Sequence, residues 1–175
     1  MSSLVEHVPW VLAAVAALLA VMGAAFVVRG LALGRRRSRV SLRVLTPKEQ
    51  AIVSACADAL FPPEGPIPVS GTEAGLVTYM DAYLQRAPSE SRLLIRLLFQ
   101  LVEHGPWLWG PRRVRFTRLL PEEQRVALER MAASPIYFRR VAFVSLRLML
   151  TMGYFAHAGV QRAIGIPVLR AAEAA

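Results

Sequence analysis

Thr46-Pro47-Lys48-Glu49-Gln50-Ala51-Ile52-Val53-Ser54-Ala55-Cys56-Ala57-Asp58-Ala59-Leu60-Phe61-Pro62-Pro63 is the stretch that decides the fold class. Thr46 can accept a hydrogen bond from a free N–H of a first turn, and Glu49, three residues on, can return one to the Thr46 backbone. Pro47 suits the first helical position, where its missing N–H has no partner to lose. Ile52, Ala55, Cys56, Ala59 and Leu60 then recur at steps of three and four, which lays them along one helical face. Phe61-Pro62-Pro63 stops the helix, because prolines remove donors and clash with the preceding turn. Start, period and stop all specify helix.

The same logic extends downstream. Residues 61–71 hold Pro62, Pro63, Gly65, Pro66, Pro68 and Gly71, a rigid loop that ends in a second capping box, Ser70-Gly71-Thr72-Glu73. A second helix is predicted from there to about Arg86, with Leu76, Tyr79, Met80, Tyr83 and Leu84 on one side. A third is predicted from about Glu90 to His104, with Leu94, Leu97, Leu98, Leu101 and Val102 inward and Gly105-Pro106 as its stop. Leu119-Leu120-Pro121-Glu122-Glu123 opens a fourth, to about Ala133, and Ser134-Pro135 opens a fifth, the longest, to about Ala156. The inner residues of that last helix read as Tyr137, Val141, Val144, Leu148 and Tyr154, joined by Phe143, Leu146, Leu150 and Met152 on neighbouring faces. Such wide apolarity predicts a central helix covered by the others. Arg139, Arg140 and Arg147 leave it too few consecutive uncharged residues to span a bilayer. No alternating run points to a strand. The reading is an all-α protein: a compact bundle of about five helices over residues 45–167, with a tail at 168–175.

Ahead of the bundle, Trp10 to Val28 is 19 residues without a charge, between Pro9 and Arg29. Its length suits a ~30 Å hydrocarbon core. Nine of the 19 are Val, Leu or Phe, which favours insertion by about 3–5 kcal/mol on the translocon scale. Residues 8–29 are thus expected to form a transmembrane anchor, with Trp10 at the interface. Residues 30–44 form a basic juxtamembrane linker in which Arg35, Arg36, Arg37 and Arg39 face anionic headgroups. No Lys or Arg precedes the apolar segment, so the positive-inside rule predicts a single-pass protein with its main domain in the cytoplasm, which in a bacterium means the inner (cytoplasmic) membrane. The same asymmetry argues against a cleavable signal peptide.

Of the 175 residues, 55% are hydrophobic, and the formal net charge is +9. Residues 1–43 hold six arginines against one glutamate, so about half the excess is juxtamembrane. The pI of about 11.1 therefore does not call for nucleic acid as a partner. A single cysteine, Cys56, rules out an internal disulfide, and its place on the apolar stripe reads as a small buried hydrophobe. His7, His104 and His157 stand too far apart to pair as metal ligands. His104 and His157, each beside a helix-ending glycine, read as cations at helix C-termini. No phosphate loop, dinucleotide fingerprint, nucleophile elbow or paired carboxylates with a base are present. No catalytic, cofactor-binding or metal-binding residue is therefore expected. The unusual surface candidate is Trp107 and Trp109 with Arg112, Arg113 and Arg115, residue types enriched where partners dock. The same indoles would also suit the closed end of a bundle, or an aromatic anchor at the bilayer next to basic headgroup contacts.

Leu45-Thr46-Pro47-Lys48-Glu49, Ala57-Asp58-Ala59-Leu60-Phe61-Pro62, Leu120-Pro121-Glu122-Glu123-Gln124-Arg125, Ser134-Pro135 and the run Gly153-Tyr154-Phe155-Ala156-His157-Ala158-Gly159-Val160-Gln161-Arg162-Ala163-Ile164-Gly165 together resemble the gluconate 2-dehydrogenase subunit 3 family. The resemblance covers Leu45 to Pro167. It implies a non-catalytic accessory subunit that anchors, stabilises or matures a large FAD-dependent oxidoreductase of the glucose–methanol–choline (GMC) type. The FAD would sit on that partner and not on this chain, with a cytochrome or quinone taking the electrons. Family members usually begin with a twin-arginine export signal. Here the arginines follow the apolar segment, which points to a fixed anchor. The alternative reading is a membrane-anchored, protein- or lipid-binding helical module with no redox partner.

Overall fold

The computed structural model describes residues 42–166. The expected anchor at 8–29, the headgroup residues Trp10, Arg35, Arg36, Arg37 and Arg39, and the tail at 168–175 lie outside the described residues. Within them the chain is all-helical. Helix α1 spans Pro47–Leu60, α2 Leu76–Arg86, α3 Ser89–Trp109, α4 Pro121–Ala132, α5 Tyr137–Ala156 and α6 Ala158–Ala163, and a 3-10 turn at Phe116–Arg118 precedes α4. No described helix is long and apolar enough to cross a membrane.

Helix α1 forms as its sequence dictates. Glu49 N–H donates to Thr46 Oγ1 and Thr46 N–H donates to Glu49 Oε2 at 2.8 Å, closing the capping box. Ile52, Val53, Cys56 and Ala57 are fully buried, and α1 packs against α2, α3, α4 and the 3-10 turn. The central element is therefore α1. That overturns the expectation of a covered α5: this helix packs on α2, α4 and α6 with one side only. Ala142, Phe143, Leu146, Leu150, Gly153 and Tyr154 face inward. Tyr137, Val141, Val144 and Leu148, expected inside, are exposed, Tyr137 by 73% and Leu148 by 60%. Small residues select the inner face. A Cβ on Gly153 would lie 2.5 Å from the Tyr79 ring and 2.9 Å from Leu76, so only glycine lets α5 approach α2 this closely.

Two further boundaries and one buried face differ from the sequence reading. The Ser70–Glu73 capping box forms, with Ser70 N–H donating to Glu73 Oε2 at 2.8 Å. It closes a separate turn, however, because Gly75 takes a left-handed φ of +70° and α2 begins only at Leu76. Helix α3 runs through Gly105-Pro106 to Trp109, since a single lost backbone bond is tolerated where the surrounding turns stay packed. Its buried face is Ile95, Phe99, Gln100, Val102 and Glu103, whereas Leu94 is 67% exposed and Leu97 is also exposed. The physical reason is Glu103. Only 2% exposed, it accepts from Thr117 N–H at 3.1 Å and Thr117 Oγ1–H at 2.9 Å, and this bond turns α3 about its axis.

Two long-range polar contacts fix the periphery. Tyr154 O–H donates to the Val69 carbonyl at 2.6 Å while its ring stacks on Phe61 with centroids 3.9 Å apart, pinning the proline-rich loop. Asp81, nearly buried, accepts from the backbone N–H groups of Arg43, Val44 and Leu45 at 3.0, 2.9 and 2.7 Å, and from Gln85 Nε2. The point where the chain enters the bundle is thus clamped by one carboxylate.

Candidate partner-docking site

The end of α3 and the segment that follows it gather most of the unusual surface chemistry. Because α3 continues past Pro106, Trp107, Leu108 and Trp109 lie on its last turn, and all three are exposed, the two indoles by 46% and 44%. They do not seal the bundle. The Arg139 guanidinium lies 4.8 Å from the centroid of the Trp109 ring, a cation–π contact that joins the end of α3 to the start of α5. Beyond Gly110, Arg112, Arg113 and Arg115 are all exposed, and Arg112 Nη1 pairs with Glu123 Oε1 at 2.7 Å.

Beside this turn, α3 and α4 leave an apolar cleft of about 250 Å³. Pro106, Pro111, Leu119, Val126, Ala127 and Met131 supply apolar wall, and the Arg112–Glu123 pair and Arg130 supply polar groups. A volume of this size admits one or two apolar side chains. On α4, Arg125 bonds both Glu122 and Glu129 along the exposed face, which fixes its charges on the helix itself. The sequence singled out Trp107, Trp109, Arg112, Arg113 and Arg115, and the structure places all five on one continuous segment beside the cleft. It gave no hint of Leu119, Val126 and Met131 as cleft wall, since their side chains converge only when α4 docks on α1.

Cys56 is fully buried, and burial, with the Glu103 carboxylate nearby, pushes its thiol far above the ordinary range. His104 lies inside α3 and not at its C-terminus. Partial burial, with Lys48 and Arg115 nearby, lowers its pKa to about 4, so it is neutral and not the helix-end cation its position in the sequence suggested. His157 stands in the joint between α5 and α6 with a buried Nδ1. Among the described residues no group of three His, Cys, Asp or Glu side chains could hold a metal ion. Glu49, buried at 1%, meets Arg96 Nε at 3.5 Å, and Arg96 Nη2 donates to the Val44 carbonyl at 3.0 Å. This ion pair ties α1 to α3 and to the incoming strand of chain.

Comparison with family models, curated proteins and solved structures finds no match to this chain.

Proposed function

We propose that this chain is a non-catalytic accessory subunit that holds a partner FAD-dependent GMC-type dehydrogenase at the membrane. The bundle docks the partner, and residues 8–29 anchor it in the inner membrane. The observation that carries the docking half is the apolar cleft flanked by Trp107, Trp109 and three exposed arginines. Such an arrangement offers a pocket for an anchor side chain, aromatic surface around it and a polar rim, which are the parts of an interface hot spot. The partner supplies the flavin, and a quinone or cytochrome takes its electrons. The resemblance to the small-subunit family supports the choice of partner, and the uncharged segment ahead of the arginine cluster supports the anchor.

The test is purification of the full chain from detergent-solubilised membranes. A larger chain with a flavin absorbance spectrum should accompany it. The double variant W107A/W109A should weaken that complex by about 2 kcal/mol or more while the bundle keeps its helical circular dichroism. Flavin, heme or turnover found on the purified chain alone would overturn the proposal.

A further inference from the structure

Helix α5 is apolar on both sides. Beyond the face packed in the core, Tyr137, Val141, Val144, Leu148, Met152 and Phe155 recur at steps of three and four, and all are exposed. They form one ridge along the helix, about 30 Å long at 1.5 Å per residue. From Tyr137 to Ala156 the helix carries three arginines and no Asp or Glu. Arg140 and Arg147, seven residues apart, border one edge of the ridge. Arg140 also caps the helix start through the Ser134 and Pro135 carbonyls, whereas Arg147 is exposed and meets no carboxylate among the described residues.

We infer that the outer face of α5 docks on the surface of an anionic lipid bilayer. Charge selects this occupant. A second copy of the helix would match the apolar spacing but would bring two acid-free, arginine-edged ridges together. A lipid surface offers acyl chains to the ridge and phosphates to the arginines, the pattern of helices that lie in the membrane interface. The ridge is exposed along its whole length, with Tyr137 at one end and Phe155 at the other. Chain length brings the two together. Only thirteen residues, 29–41, separate the apolar segment from Leu42, so the bundle is held within about 45 Å of any bilayer that segment enters. The inference rests on the anchor reading for this tether alone.

Buried Cys56 makes a direct experiment possible, because it will not take up a surface thiol reagent. An environment-sensitive fluorophore is placed on L148C in the full chain, which is reconstituted into phosphatidylcholine vesicles with or without phosphatidylglycerol. Lipids brominated on the acyl chains act as a short-range quencher. The label is expected to shift to the blue and lose most of its emission in the anionic vesicles, and much less in the neutral ones. R147E should restore emission in the anionic vesicles without changing the circular dichroism. The same label on E90C, at the start of α3, should stay unquenched. Three results overturn the inference: L148C unquenched in anionic vesicles, equal quenching at positions 148 and 90, or a blue shift already complete without lipid, which would mean that this chain or a co-purified protein covers the ridge. Extraction of the full chain by alkaline carbonate reads the anchor separately, so failure of the anchor and failure of the docking are told apart.

Discussion

At the residue scale, single carboxylates organise contacts that no local pattern encodes. Burial alone would raise the Asp81 carboxyl, but hydrogen bonds from Leu45, Arg43, Val44 and Gln85 outweigh it and hold the pKa below the ordinary carboxylate range. A group lowered in the folded state contributes stability that is complete above its unfolded pKa and is lost as pH falls through the folded one. D81N leaves all three backbone donors without a charged acceptor and turns an amide N–H toward at least one of them. It should destabilise the bundle by roughly 2–4 kcal/mol and flatten the acid limb of a denaturation profile measured between neutral pH and the carboxylate range. His104 works with the same sign. Its folded pKa of about 4 lies below its ordinary value of 6.5, so between those values the unfolded chain binds the extra proton and stability falls as pH falls. Its imidazole resonances should show no titration from pH 7 to 5. H104Q should remove the part of the stability loss that falls in that window, and a titration midpoint near 6.5 would sink the assignment.

At the scale of elements, helix ends and helix faces behave differently. Thr46, Pro47 and Glu49 fix the start of α1 by local chemistry, and the start appears where that chemistry puts it. Faces depend on what packs across them. The α2–α5 contact closes over Gly153, where a Cβ would stand 2.5 Å from Tyr79 and 2.9 Å from Leu76. G153A, normally favourable inside a helix, should therefore destabilise the bundle by about 1–3 kcal/mol, read as a lower denaturation midpoint at unchanged slope. A neutral or stabilising result would mean that Tyr79 swings aside. Gly71 is held as closely, since a Cβ there would lie 2.4 Å from the Ala57 carbonyl oxygen. That approach seats the proline-rich loop on α1.

At the scale of the whole molecule, the described residues form an inner core around α1 and leave apolar side chains exposed at the cleft beside Trp107 and Trp109, along the outer ridge of α5 and at Leu93, Leu94 and Leu97 of α3. The ridge contributes little to folding, because its side chains are already in water. The variant V144S/L148S should leave the unfolding free energy within about 0.5 kcal/mol of the parent. A loss of several kcal/mol would show that these side chains are packed rather than exposed.

The sequence by itself determined the helical class, the start and stop of α1, the proline-rich loop and the buried place of Cys56, and it left Trp107 and Trp109 open between surface and bundle end. Each follows from local backbone chemistry or from residue type, and both act over a few neighbours. Only the tertiary structure decided which face of α3 and α5 is inside. Leucines and aromatics surround both helices, so periodicity offered two solutions of nearly equal apolarity. The choice was made by contacts between residues distant in sequence: Glu103 with Thr117 on α3, and Gly153 against Tyr79 on α5. A hydrogen bond or a close approach across the bundle outweighs a moderate difference in hydrophobic stripe, because an unpaired buried carboxylate or a steric overlap carries a larger penalty than one exposed leucine.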